Sequence, residues 1–301
     1  MILRSLTRRP NSLASRAAFS ATRGTSPLAR SLHSVPTLAN HVELQQNGIP
    51  GLMSAKGFDI AYTQYHQHIL DSLNFIIAGT PKENMEPKAL VVDTAREPNN
   101  AYLFNHASMA FNNHFFFSGI NTNPDVVSRP SAQLERVISE TFSSVDTLRA
   151  TFLSTADAMF GPGFVWLVQT NDNAARQELR ILSTYLAGSP LSGAHYRRQS
   201  VDLNTHNPDS YEATNSVGSF GAAAKEKMLP KKPLGGIDVI PLLCVNTWQH
   251  TYLNDYGVAG KAAYLQKWWD AIDWSKVEEK VTITKQARDS RPAQAKFHYG
   301  A

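Results

Sequence analysis

The chain has 301 residues, 42% hydrophobic and 18% charged, with a formal net charge of +4. That length and balance suit a folded body with a sizeable core, and no stretch approaches the roughly 20 consecutive apolar residues of a membrane-spanning helix. A single cysteine, Cys244, excludes an internal disulfide and a cysteine-based zinc site; in its apolar Pro241-Leu242-Leu243 context it reads as a small buried hydrophobe.

Residues 1–33 differ in kind from the rest. They carry Arg4, Arg8, Arg9, Arg16, Arg23 and Arg30, many Ser and Ala, and no acid; the first carboxylate is Glu43. An arginine-rich, acid-free leader reads as a mitochondrial transit peptide over 1–33, processed between about residue 17 and residue 34. Removing its six arginines from the 29 basic residues leaves 23 against 25 acids, a balance of −2. The positive charge therefore belongs to the leader, and a wholesale basic nucleic-acid-binding surface is not supported.

From Lys56 to Gly79, Phe58, Ile60, Ile69, Leu70, Leu73, Ile76 and Ile77 recur at mostly three- and four-residue intervals, which predicts a helix packed on one face and ended by Gly79-Thr80-Pro81. A second helical pattern covers Asn99 to Ile120. Joined by a polar loop, the two predict an antiparallel hairpin over 34–121. A polar stretch from Asn121 to Ser131 then marks a boundary. Beyond it Leu134, Val137, Ile138 and Phe142 form one helical stripe and Leu148, Phe152, Leu153 and Met159 another, with Ser143 and Asp146 spaced as a capping box.

Gly161-Pro162-Gly163 breaks the second stripe. Phe164 to Val168, Arg180 to Tyr185 and Ile237 to Val245 read as strands, and Lys261 to Ile272 and Ser275 to Lys280 as closing helices. The expected class is α+β: an N-terminal antiparallel helical hairpin, then an α/β domain over 122–280 with a small antiparallel sheet. A polar insertion at 192–236 and a basic extension at 281–301 complete the layout.

The order of segments resembles the iron/manganese superoxide dismutase family from about His33 to Lys280. His33-Ser34-Val35-Pro36-Thr37-Leu38 is similar to the family's mature N-terminus, and the run Asp59 to Gln67 to its first-helix motif. Asn113-His114-Phe115-Phe116-Phe117 is similar to the second-helix ligand motif, and Phe160 to Leu167 to the Gly-rich entry to the sheet. Ser183 to Leu191, and Asn246 to His250 with the closing helices, complete six matches in order.

What the resemblance implies about chemistry is loss. The family holds its metal with three imidazoles and one carboxylate; the matching positions here are Ala61, His114, Asn246 and His250. Two imidazoles without an anionic oxygen make a weak, wrongly charged site for Mn or Fe. The glutamine that bonds metal-bound solvent falls at Ala187, its other location at Ala110, and the gateway tyrosine at Ile69. No catalytic residue, metal, other cofactor or small-molecule substrate is expected, and the two histidines are expected to persist as hydrogen-bonded core residues. The open alternatives are a dismutase with a remodelled site drawing on His66, His68 or His106, and a mitochondrial interaction module.

The family's cross-subunit glutamate and tyrosine fall at Gln249 and Leu253, so pairing is expected with a paralogous dismutase-like chain whose face has changed to match, with self-pairing the open alternative. Basic side chains in the two additions, Arg197, Arg198, Lys231, Lys232, Lys285, Arg288 and Arg291, are candidates for local rRNA or partner contact. A mitochondrial leader, a disabled dismutase fold and basic extensions together resemble the dismutase-like proteins of fungal mitochondrial small ribosomal subunits. The role this implies is structural, in the matrix, among other proteins of that subunit and away from membranes.

Overall fold

The longer helices, such as Tyr65–Ile77 and Ala132–Phe142, put apolar side chains on one face. A computed structural model describes residues 33–95, 97–123, 126–170, 178–191, 194 and 239–283. After an extended start come α1 (His41–Asn47), α2 (Ala55–Phe58), a π-helix (Asp59–Gln64) and α3 (Tyr65–Ile77), then α4 (Pro87–Thr94) and α5 (Ala101–Ser118). Leu70, Leu73 and Ile77 of α3 are buried, and α3 and α4 both pack against α5. The extended start is clamped to this layer by Asn74, whose Oδ1 accepts from His33 N at 2.9 Å and whose Nδ2 donates to His33 O at 2.8 Å.

The predicted helix from Lys56 to Gly79 is thus three consecutive pieces with a π-type turn at the centre, and the connection expected to be a polar loop contains α4. Pro87 supplies a pre-set φ at the start of α4 and Leu90 and Val91 its buried contacts. At Gly48, between α1 and α2, φ is +77° and an added Cβ would lie 2.3 Å from the Met53 carbonyl oxygen, so only glycine fits this turn.

Next come α6 (Ala132–Phe142) and α7 (Val145–Ala158), then β1 (Gly163–Thr170), β2 (Leu179–Tyr185) and β3 (Val239–Asn246). The cap of α7 differs from the expected one. Ser144 accepts from Thr147 N, whereas Ser143 ends α6 with φ +69°. The sheet order is β2-β1-β3, with both pairings antiparallel. β1 is buried along its whole length, as a central strand covered on both faces must be. β3 is an edge strand with a bulge opposite Leu167 and Val168, and Pro241, which has no N–H to donate, sits there.

The described residues continue through α8 (Gln249–Tyr256), α9 (Lys261–Asp270) and α10 (Trp274–Lys280). Trp268, Trp269 and Trp274 are buried; the Trp268 ring stacks on Phe152 of α7 with centroids 5.4 Å apart. α5 and α10 pack against β3, while α6 and α7 pack against β2. The architecture is α+β, with a helical layer followed by a small antiparallel sheet wrapped in helices. Cys244 is buried, and burial pushes its thiol pKa well up, as an inert core residue requires. Among the described residues no helix is long and apolar enough to cross a membrane.

Candidate functional site

The interior between the π-helix, α5 and the β3–α8 junction holds the buried polar side chains His66, Asn113 and Asn246. Ala61 lies on the π-helix, His114 on α5, Asn246 at the end of β3 and His250 on α8. The arrangement begins with backbone geometry. A π-type turn loosens the i to i+4 ladder, and the Ala61 carbonyl takes an additional hydrogen bond from Asn113 Nδ2 at 3.2 Å. The Ala61 methyl is fully buried and offers no donor atom to any ligand.

His114 is half-buried. Tyr62 Oη donates its one proton to the Pro36 carbonyl at 2.6 Å, so it must accept from His114 Nδ1 at 3.2 Å. That contact fixes His114 in the Nδ1-protonated tautomer when neutral, and burial, with Lys276 nearby, lowers its pKa. Tyr62 is pushed well above the ordinary phenol range by burial.

His66 sits in the same interior, its ring centroid 6.3 Å from His114 and 5.3 Å from Tyr62. Its Nδ1 lies 3.4 Å from Asn113 Nδ2, an amide that only donates, so Nδ1 carries the lone pair. Burial, and then the neighbouring His114, lower its pKa to about 4. His250 stacks on Tyr65 with ring centroids 3.9 Å apart, and burial lowers its pKa to about 4 as well. Its Nε2 is buried and, among the described residues, meets no hydrogen-bond partner. The same burial raises the Tyr65 hydroxyl to about 12.

Asn246 is fully buried. Its Oδ1 accepts from Trp248 N at 2.9 Å, its Nδ2 donates to Asn113 Oδ1 at 3.3 Å, and its carbonyl accepts from Tyr264 Oη at 2.9 Å. The positions that the resemblance gives to outer-shell groups are apolar and buried: Ile69, Ala110 and Ala187 lie in one continuous core with Ala61. Asn113 was not singled out from the sequence as a site residue. Its position beside His114 was the available signal.

These donors do not fit a Mn or Fe centre. A methyl stands at 61, a carboxamide at 246 has both its atoms committed, and among the described residues no group of three or more His, Cys, Asp or Glu is placed to hold an ion. His68 and His106 offer no rebuilt site. His68 is exposed, and His106 Nδ1 contacts the Tyr102 carbonyl at 2.8 Å on the surface of α5.

Gln249 and Leu253 lie on the outer side of α8, both exposed. The basic candidates Arg197, Arg198, Lys231, Lys232, Lys285, Arg288 and Arg291 lie outside the described residues.

Comparison with known proteins agrees with this architecture. Residues 130–203 and 220–280 match the model of the C-terminal domain of iron/manganese superoxide dismutases. The small ribosomal subunit protein mS43 of Schizosaccharomyces pombe is 29% identical over 256 residues, 83% of this chain and 84% of the relative. Protein mS42 of the same organism is 31% identical over 207 residues, 66% of this chain and 75% of the relative. An iron superoxide dismutase of Babesia bovis is 24% identical over 222 residues, 74% of this chain and 84% of the enzyme. The chain belongs to the family that joins the iron/manganese superoxide dismutases with the small-ribosomal-subunit proteins mS42 and mS43.

Proposed function

We propose that this chain is a non-catalytic structural component of the mitochondrial small ribosomal subunit, a dismutase fold kept for its shape. One observation carries the reading: the carboxylate and one imidazole of the family's ligand set are replaced by Asn246 and Ala61, and the amide of Asn246 is consumed by internal hydrogen bonds. The similarity to mS43 and mS42 supplies the setting. Sedimentation of mitochondrial lysate tests it. The chain should travel with the small subunit and stay there in moderate salt; recovery in the soluble fraction would overturn the reading.

Within that setting, a paralogous dismutase-like chain is the partner for the face around α8. Leu253 is 43% exposed there and Gln249 is exposed beside it. A charge-free rim of Gln249 and Leu253 accepts a face of different design from the glutamate–histidine exchange of the dismutases. The described residues carry 11 Lys and Arg against 17 Asp and Glu, so the folded body suits protein contacts, and rRNA contact falls to the basic additions.

A second reading, a dismutase with a remodelled centre, is favoured by the retained His114 and His250 and the 24% identity to iron dismutases. Metal analysis with an activity assay separates the two. Near-stoichiometric Mn or Fe with turnover selects the enzyme.

A further inference from the structure

A directional chain of hydrogen bonds crosses the interior where the resemblance would place an ion. The Trp248 N–H donates to Asn246 Oδ1 at 2.9 Å, Asn246 Nδ2 donates to Asn113 Oδ1 at 3.3 Å, and Asn113 Nδ2 donates to the Ala61 carbonyl at 3.2 Å. Both ends are backbone groups of fixed polarity: an N–H can only give and a carbonyl can only accept. The two amide orientations are therefore forced, not assigned by choice. The second proton of Asn113 Nδ2 faces His66 Nδ1 at 3.4 Å. Asn113 and Asn246 are both fully buried, so each broken link strands a desolvated polar group.

The elements joined are the π-helix, α5, β3 and the start of α8, with α9 added through Tyr264 Oη on the Asn246 carbonyl. These are the elements that carry the four positions of the family's ligand set. We propose that Asn113 and Asn246 form a metal-independent clasp that takes over the cross-linking an ion performs in family members that hold one. The clasp has a chemical requirement that separates it from a ligand set. Position 246 must both accept and donate, and a carboxylate, the group a metal needs there, can only accept. An aspartate at 246 sets its charge against Asn113 Oδ1. Turning the Asn113 amide to meet it points Oδ1 at the Ala61 carbonyl instead. This inference concerns what holds the interior and stands whether or not the chain sits on a ribosome.

Thermal unfolding of the full chain, followed by circular dichroism, is the first test. The midpoint should agree within about 1 °C after dialysis against EDTA and after addition of Mn(II). A fall of several degrees on chelation overturns the clasp. In a cycle of Asn113→Ala, Asn246→Ala and the double variant, each single change should lower the midpoint by about 5 °C, with the double little lower than either. Losses that simply add overturn the coupling. Asn246→Asp keeps the shape and guards against variants that fail to fold. It keeps the acceptor for the Trp248 N–H but loses the donor to Asn113, so it should lower the midpoint and gain nothing from Mn(II); a wild-type midpoint, or a midpoint raised by Mn(II), refutes the proposal.

Discussion

Two substitutions would rebuild the family's ligand list on paper, Ala61→His and Asn246→Asp. The positions around them are apolar: Ile69, Ala110 and Ala187 are buried in the core and offer no group to bond a metal-bound solvent or carry a proton. The double variant is therefore expected to show sub-stoichiometric Mn or Fe and only background dismutase activity, checked by metal analysis beside a superoxide assay. The buried histidines give a second outcome at this scale. His66 has its pKa lowered from 6.5 to about 4 by burial, with His114 adjacent, and its neutral Nδ1 accepts from Asn113; Tyr62 is the other titratable ring against it. A depressed folded pKa means that stability is complete above pH 6.5, where both states are neutral, and falls as pH drops toward 4, because the unfolded chain takes the proton first. The loss attributable to His66 is on the order of 3 kcal/mol at the acid end. Denaturant midpoints measured from pH 7 to pH 4 should fall, and His66→Gln should fall less steeply.

Helix boundaries show where local chemistry decides and where it misleads. Adjacent serines at 143 and 144 offer two possible caps one residue apart. Ser144, in extended conformation, accepts from Thr147 N at 3.0 Å, while Ser143 has φ +69°. Ser144→Ala should cost about 1 kcal/mol, whereas Ser143→Gly should be neutral or stabilise by up to about 1 kcal/mol, because glycine adopts positive φ without a Cβ penalty. Opposite signs at neighbouring serines, read from urea unfolding, check the assignment. The long helices were legible because their buried residues repeat with the helix period, as Leu70, Leu73 and Ile77 do in α3, and the three described strands because they are short apolar runs bounded by turn residues. α1 and α4 were not, since Leu44 alone is buried in the first and the second buries only Leu90, Val91 and Thr94, too few to show a period. The site divides the same way. Ala61, His114, Asn246 and His250 stood out because each occupies a recognisable motif. The partnership of Asn113 with Asn246 did not, because the bond spans 133 residues of sequence and a carboxamide carries no mark of what it will meet.

Charge is distributed unevenly over the whole molecule, and that decides which parts can touch a polyanion. The described body holds 11 basic against 17 acidic side chains. Residues 284–301 hold Lys285, Arg288, Arg291 and Lys296 against Asp289, a balance of +3. Their point of departure is fixed: just before them, Thr282 N donates to Gln169 Oε1 at 2.9 Å beside the end of β1, and Val281 is buried. Truncation after Ile283 removes these cations and leaves every described core residue in place, so the unfolding midpoint of the chain should not change. Binding to an rRNA-containing subunit should change in a specific way. Each phosphate neutralised contributes roughly 0.7–0.9 to the slope of log affinity against log salt, so loss of three net charges should flatten that slope by about 2 to 3. The salt dependence that remains would then report the other addition, where Arg197, Arg198, Lys231 and Lys232 are retained. Affinity of full-length and truncated chains for salt-washed small subunits, titrated over a range of KCl, measures both slopes. Equal slopes would place the ionic contacts elsewhere in the chain, and a truncated chain that unfolds at lower temperature would show that residues beyond Ile283 belong to the core.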